Sequence, residues 1–124
     1  MVIKALITLA AIAIVGVNIA HSQEKPTVVL VHGAFADSSS WSKVIAKLEQ
    51  DGYPVAAASN PLRSVTGDGA YVRKIVDSLP GDVILVGHSY GGSVINEVAA
   101  GNAKVRSLVF VAAFAPDKGA TALR

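Results

Sequence analysis

The 124-residue sequence has no cysteine, which removes disulfides, thiolate-held zinc and thiol nucleophiles together. A chain without thiols suits oxidising and reducing compartments alike, so the absence sets no location. Charge is also sparse. Charged residues make up only 16% of the chain, with eleven Lys and Arg interspersed among nine Asp and Glu for a formal net charge of +2. Such a distribution builds no basic face able to neutralise phosphates, and nucleic acid is not an expected partner. Neither G-x-G-x-x-G nor G-x-x-x-x-G-K-[ST] occurs, so no phosphate-cradling loop marks a nucleotide cofactor. No ligand cluster marks a metal, and no cofactor is expected.

Long hydrophobic runs are absent with one exception. Lys4 is followed by thirteen uncharged, mostly apolar residues, Ala5 to Val17, and Ala20-His21-Ser22 then offers small residues at a signal-peptidase spacing. A membrane-spanning helix needs about 20 apolar residues, and this run is shorter and interrupted by Asn18. Residues 1–22 therefore read as a cleaved signal peptide, which implies a secreted or periplasmic protein with no stable membrane association afterwards. The length leaves room for a single domain over residues 23–124.

From Pro26 onward, apolar runs alternate with amphipathic stretches. Thr27-Val28-Val29-Leu30-Val31 is β-branched without polar alternation, the pattern of a strand buried on both faces. Asp37 to Ser40 supply N-cap candidates for a helix in which Trp41, Val44, Ile45 and Leu48 share a face, ended by Gly52. Val55 to Ala58 reads as a second strand, and Asn60 to Gly69 as a loop rich in turn formers. Asp68 is positioned to cap a second helix carrying Val72, Ile75, Val76 and Leu79, stopped by Pro80-Gly81. Val83 to Val86 reads as a third buried strand, Tyr90 to Ala100 as a third helix, and Val105 to Ala113 holds a fourth strand. Strands alternating with helices of crossover length predict an α/β fold, a parallel sheet of about four strands flanked by helices.

The third strand runs directly into Gly87-His88-Ser89-Tyr90-Gly91-Gly92. By composition alone G-x-S-x-G arises in roughly a few per cent of chains this long. A position between strand and helix makes it specific: it is the nucleophile elbow, whose tight turn strains the serine and holds its Oγ clear of the sheet. Gly87 and Gly91 flank the bend, where a Cβ would strike a neighbour. First-turn N–H groups and the helix dipole favour negative charge beside Ser89. The opening strand ends in His32-Gly33-Ala34-Phe35. If the first and third strands are neighbours, the N–H groups of Ala34 and Tyr90 converge above Ser89 as an oxyanion hole. Trp41, Phe35 and Tyr90, aromatic residues near strand ends, are expected to finish the core rather than line a substrate pocket.

These motifs, with the Trp41 helix and Val109-Phe110-Val111-Ala112-Ala113-Phe114-Ala115-Pro116-Asp117, resemble the α/β-hydrolase superfamily, most closely its compact esterase and hydroxynitrile-lyase branch. The resemblance covers residues 27 to 119. It implies ester or amide hydrolysis through an acyl-enzyme and a Ser-His-Asp triad. Ser89 would be the nucleophile, Ala34 and Tyr90 the backbone oxyanion donors, and the strand order second, first, third, fourth. The superfamily places acid and then base after the serine.

No histidine follows Ser89. The three present are His21, His32 and His88. His88 adjoins Ser89, but neighbouring side chains on the elbow point apart; His32 sits at the oxyanion turn in a packing role. Asp117 stands where some members carry the acid, and without a histidine to orient it reads as a loop cap. The expectation is a serine hydrolase acting on a small-molecule ester, truncated before its acid and base. The alternatives are a non-catalytic remnant and a lyase or haloperoxidase-type activity on the same scaffold.

Overall fold

The computed structural model describes residues 24–115, so the signal-peptide stretch and Asp117 lie outside the described residues. Four strands, β1 (Thr27–Val31), β2 (Val55–Ala58), β3 (Val83–His88) and β4 (Val105–Val111), alternate with three helices, α1 (Ser42–Gln50), α2 (Val65–Ser78) and α3 (Tyr90–Ala99). All pairings are parallel and the strand order is β2-β1-β3-β4. The fold class and strand order agree with expectation.

The two faces of the sheet are covered unequally. Val29, Val31, Val83 and Leu85 turn toward α2 and α3, where Val72, Val76, Val94, Ile95 and Val98 meet them with no exposed surface. On the other face Val28 and Leu30 pack with Trp41, joined by half-buried Ile45 and Leu48 of α1. Ten buried apolar residues form the first cluster and three the second. At about 1.5–3 kcal/mol for each fully buried large side chain, the α2/α3 face carries most of the hydrophobic stabilisation.

This asymmetry corrects two readings. Only one face of β3 is fully buried, because Ile84, Val86 and His88 lie half-covered on the α1 side. Val44 follows the helical spacing of Trp41, Ile45 and Leu48 yet is 41% exposed. On the same side, Val109 and Val111 of the edge strand β4 are exposed, while Leu108 and Phe110 pack inward.

The helix starts are set by side-chain caps. Asp37 opens a 3-10 turn, Ser38–Trp41, that leads into α1, and accepts from the Ser39 N–H at 2.8 Å and the Ser39 hydroxyl at 2.5 Å. The hydroxyl bond, and then the N–H bond, hold the Asp37 carboxyl below its usual range. α2 begins three residues before Asp68, because Ser64 is its cap and accepts from the Gly67 N–H at 3.0 Å. Its other end is closed by Lys104, whose ammonium donates to the carbonyls of Val76, Asp77 and Leu79, a favourable place for a cation. No helix among the described residues is long and apolar enough to cross a membrane.

Candidate active site

Chain order puts the exit of β1 toward β2 on one side and β3 on the other, so the connections diverge between β1 and β3. In open parallel sheets the crevice at such a divergence, beyond the carboxyl ends of the strands, is where ligands bind. The register aligns Val31 with Gly87. The His32-Gly33 turn and the β3–α3 junction therefore sit side by side at that crevice.

Ser89 occupies the junction with φ 51° and ψ −119°. This is the conformation of the first central residue of a type II′ turn, which glycine normally fills. The strain is held by backbone bonds on both sides: the Ser89 N–H donates to the Val111 carbonyl at 3.1 Å, and the Gly92 N–H donates to the Ser89 carbonyl at 2.9 Å. The Ser89 side chain is exposed. Ser89 is also the residue before the first turn of α3, whose N–H groups have no intrahelical acceptor. The N–H of Tyr90 is the first of them.

Glycine is required on both sides of the bend. A Cβ on Gly87 would lie 2.5 Å from the Gly91 carbonyl oxygen, and one on Gly91 would lie 2.4 Å from the Val31 oxygen and 2.9 Å from that of His32. All three obstacles are backbone, which cannot swing aside. The start of α3 is thereby pressed against the end of β1. From the other side, a Cβ on Gly33 would come within 3.2 Å of the Ser89 Cβ and 3.1 Å of His88 Nδ1. Gly33 thus touches Ser89, and the exposed Ala34 follows it directly.

The two histidines near Ser89 are held in different ways. His32 is 2% exposed. Its Nε2 accepts from the Asn60 N–H at 3.1 Å, which leaves Nδ1 to donate to the Gly33 carbonyl at 2.8 Å; the Asn60 side chain returns a bond to the His32 carbonyl at 3.1 Å. With both ring nitrogens used, His32 fastens the β2 exit to the β1 turn. His88 sets its ring edge-on to Trp41, centroids 6.4 Å apart at 89°. Both line a small open cleft of about 230 Å³ with Ser40, Val44 and Val111 on the α1 side.

A buried acid stands behind the junction. Asp68, fully buried, accepts from the Arg63 N–H at 3.1 Å and from the Tyr90 hydroxyl at 2.7 Å. Burial, and then the bond to Asp68 and its charge, push the Tyr90 phenol above its ordinary range. Sequence reasoning took Asp68 for a cap and Asn60 for a loop residue, since no local pattern marks a partner 22 or 28 residues away. Of the three aromatic residues expected in the core, Trp41 is buried on the α1 face and Tyr90 packs against the cluster on the α2/α3 face, but Phe35 is fully exposed beside Ala34. Among the described residues no group of three or more His, Asp or Glu side chains could hold a metal ion.

This arrangement has relatives. A carbendazim-hydrolysing esterase from Nocardioides sp. (strain SG-4G) is 36% identical over 104 residues, covering 73% of this chain and 43% of that protein. An alpha-hydroxynitrile lyase from Arabidopsis thaliana is 33% identical over 111 residues, covering 77% and 42%. The crystal structure of a pyrethroid hydrolase from Sphingobium faniae JZ-2 superposes with a TM-score of 0.65 at 28% identity, covering 71% of this chain and 40% of that one. The chain thus spans about two-fifths of the length of these relatives. The profile of the alpha/beta hydrolase family matches residues 28–124, which takes in all of the sheet but Thr27, the glycine-flanked serine and the β1 turn beside it. The chain belongs to the alpha/beta hydrolase family.

Proposed function

We propose that the chain carries the nucleophile of an ester hydrolase acting on a small-molecule ester. Ser89 Oγ bonds to the substrate carbonyl carbon while its proton is taken by a base and delivered to the departing alkoxide, which leaves as an alcohol. Water then cleaves the acyl-serine, releasing a carboxylic acid and restoring the hydroxyl. The N–H groups of Ala34 and Tyr90 receive the oxyanion, a contribution worth about 2.7–4 kcal/mol per donor. On this reading acid and base come from sequence beyond these 124 residues: both ring nitrogens of His32 are bonded, and His88 sets its ring edge-on to Trp41 on the α1 side. The observation that carries the reading is the positive φ of Ser89 at the end of β3, conformational strain kept where β1 and β3 diverge.

A fluorophosphonate probe tests it on the complete gene product. Labelling at Ser89, abolished in Ser89→Ala, is the expected result; a folded protein left unlabelled overturns the reading in favour of a non-catalytic remnant. A lyase is the second reading, favoured by the 33% identity to a hydroxynitrile lyase; cyanide release from a cyanohydrin without ester turnover would select it. Residues 1–22 direct export on this proposal, and a mature protein beginning near Gln23 outside the cytoplasm is the expected product.

A further inference from the structure

We infer that Asp68 is a positioning residue for the Ser89 site, tying the first turn of α2 to the first residue of α3 through the Tyr90 hydroxyl. The inference rests on the reading of Ser89 as nucleophile. It begins from a cost. A fully buried carboxylate is unfavourable unless hydrogen bonds satisfy it, and an apolar side chain of similar volume in its place is often neutral or stabilising. Asp68 has no exposed surface, and what it does with its oxygens therefore matters.

One oxygen accepts from the Arg63 N–H, just ahead of the α2 cap, and the other from the Tyr90 hydroxyl at 2.7 Å. The first bond fixes the carboxylate to its own helix start, where the dipole of α2 also favours a negative group. The second reaches a different helix. Tyr90 directly follows Ser89, and its backbone N–H opens α3. Its ring is thus a lever on the peptide unit beside the serine, held at the base by the elbow and at the tip by Asp68.

A second observation shows that the two helices are brought together at this level. A Cβ on Gly69 would stand 2.8 Å from the Glu97 Cβ of α3, so α2 approaches α3 too closely for a side chain at the residue next to Asp68. Gly69 permits the approach and Asp68 uses it. Packing of Tyr90 against the core fixes where the ring lies, and the hydrogen bond fixes how far along its axis it sits. That axial position governs the direction of the Tyr90 N–H.

The test is the rate of fluorophosphonate labelling of Ser89 in the full chain, resolved into the maximal inactivation rate and the probe concentration at half-maximum. Tyr90→Phe keeps the ring and its backbone N–H and removes only the bond to Asp68; Asp68→Asn weakens the same bond from the other end. A displaced donor costs less than a deleted one, so each variant is expected to lower the maximal rate about tenfold with the half-maximal concentration unchanged. Combined, they are expected to lose no more than the worse single variant, because they break one bond. Unchanged rates below the melting transition, or losses that multiply in the double variant, overturn the inference and leave the Ser89 reading standing. If Asp68→Asn fails to fold, Tyr90→Phe alone decides. An unlabelled wild-type chain overturns the Ser89 reading and this inference with it.

Discussion

Replacing Ser89 by glycine and, separately, by alanine separates the strain at the elbow from the chemistry of the hydroxyl. Both variants lack Oγ, so neither is labelled, and they differ only in whether a Cβ must occupy φ 51°, ψ −119°. A non-glycine residue held in such a region costs about 1–3 kcal/mol. Glycine relieves that cost but adds about 0.5–1 kcal/mol of backbone entropy to the unfolded chain. The balance makes Ser89→Gly more stable than Ser89→Ala by about 1 kcal/mol, which for a chain of this size corresponds to roughly 4 °C in Tm. The backbone bonds to Val111 and Gly92 survive in both, so no lost hydrogen bond confuses the comparison. Denaturant unfolding of the two variants at equal m-value measures the difference directly. A glycine variant no more stable than the alanine variant would refute the claim that this junction stores strain.

Three further outcomes are expected. His32→Leu leaves the buried Asn60 N–H without its acceptor and lowers stability by about 1–3 kcal/mol in denaturant unfolding; a change within about 0.5 kcal/mol would mean that the ring only fills space. Gly91→Ala drives a Cβ against the Val31 and His32 carbonyls, and because Val31 is paired on both sides the expected loss is about 3 kcal/mol or more, read as a collapse of soluble yield or of Tm. For pH, the Tyr90 phenol is raised above its ordinary value of 10.0 by burial first and by Asp68 second. The folded chain therefore binds this proton more tightly than the unfolded chain. The contribution is complete below about pH 10 and is lost as pH rises toward the folded value, so the urea midpoint of the wild type should fall more steeply on the alkaline side than that of Tyr90→Phe. Parallel pH profiles would contradict the Asp68–Tyr90 bond.

The elements most legible in the sequence are those whose signal is local. Thr27–Val31 reads as doubly buried because five apolar or β-branched residues in succession have no polar face to offer, and the strand is buried at every position. The glycine-flanked serine reads as an elbow because strand, bend and helix follow one another without spacer. The start of α2 was hidden for a physical reason. Gly67 and Gly69 fall in its first turns, and each disfavours a helix by about 1 kcal/mol relative to alanine, so the segment looks like loop until the neighbour that needs Gly69 is known. Val44 shows the converse: helical spacing marks a face, yet burial depends on what lies opposite, and among the described residues that side of β3 and β4 is only partly covered. Phe35 shows that an aromatic residue just past a strand end can project into solvent as readily as close a core.

The geometry around Ser89 is built almost wholly from backbone. Gly87, Gly91 and Gly33 let three chain segments meet at distances that no Cβ allows, and the serine is fixed by main-chain bonds on both sides. The side chains nearby are occupied in holding those segments: His32 binds the β2 exit, His88 turns to Trp41, and Asp68 takes Tyr90. A nucleophile and its oxyanion donors can be set by a scaffold of this kind, since they need position rather than a titrating partner. General-base chemistry needs a side chain with a free nitrogen or oxygen aimed at the hydroxyl; both nitrogens of His32 are bonded, and the His88 ring is set edge-on to Trp41. On the proposed reading this divides the labour by region: the β1–β3 junction presents the hydroxyl and receives the oxyanion, and the proton acceptor reaches it from the open carboxyl edge of the sheet, where Ser89 is exposed.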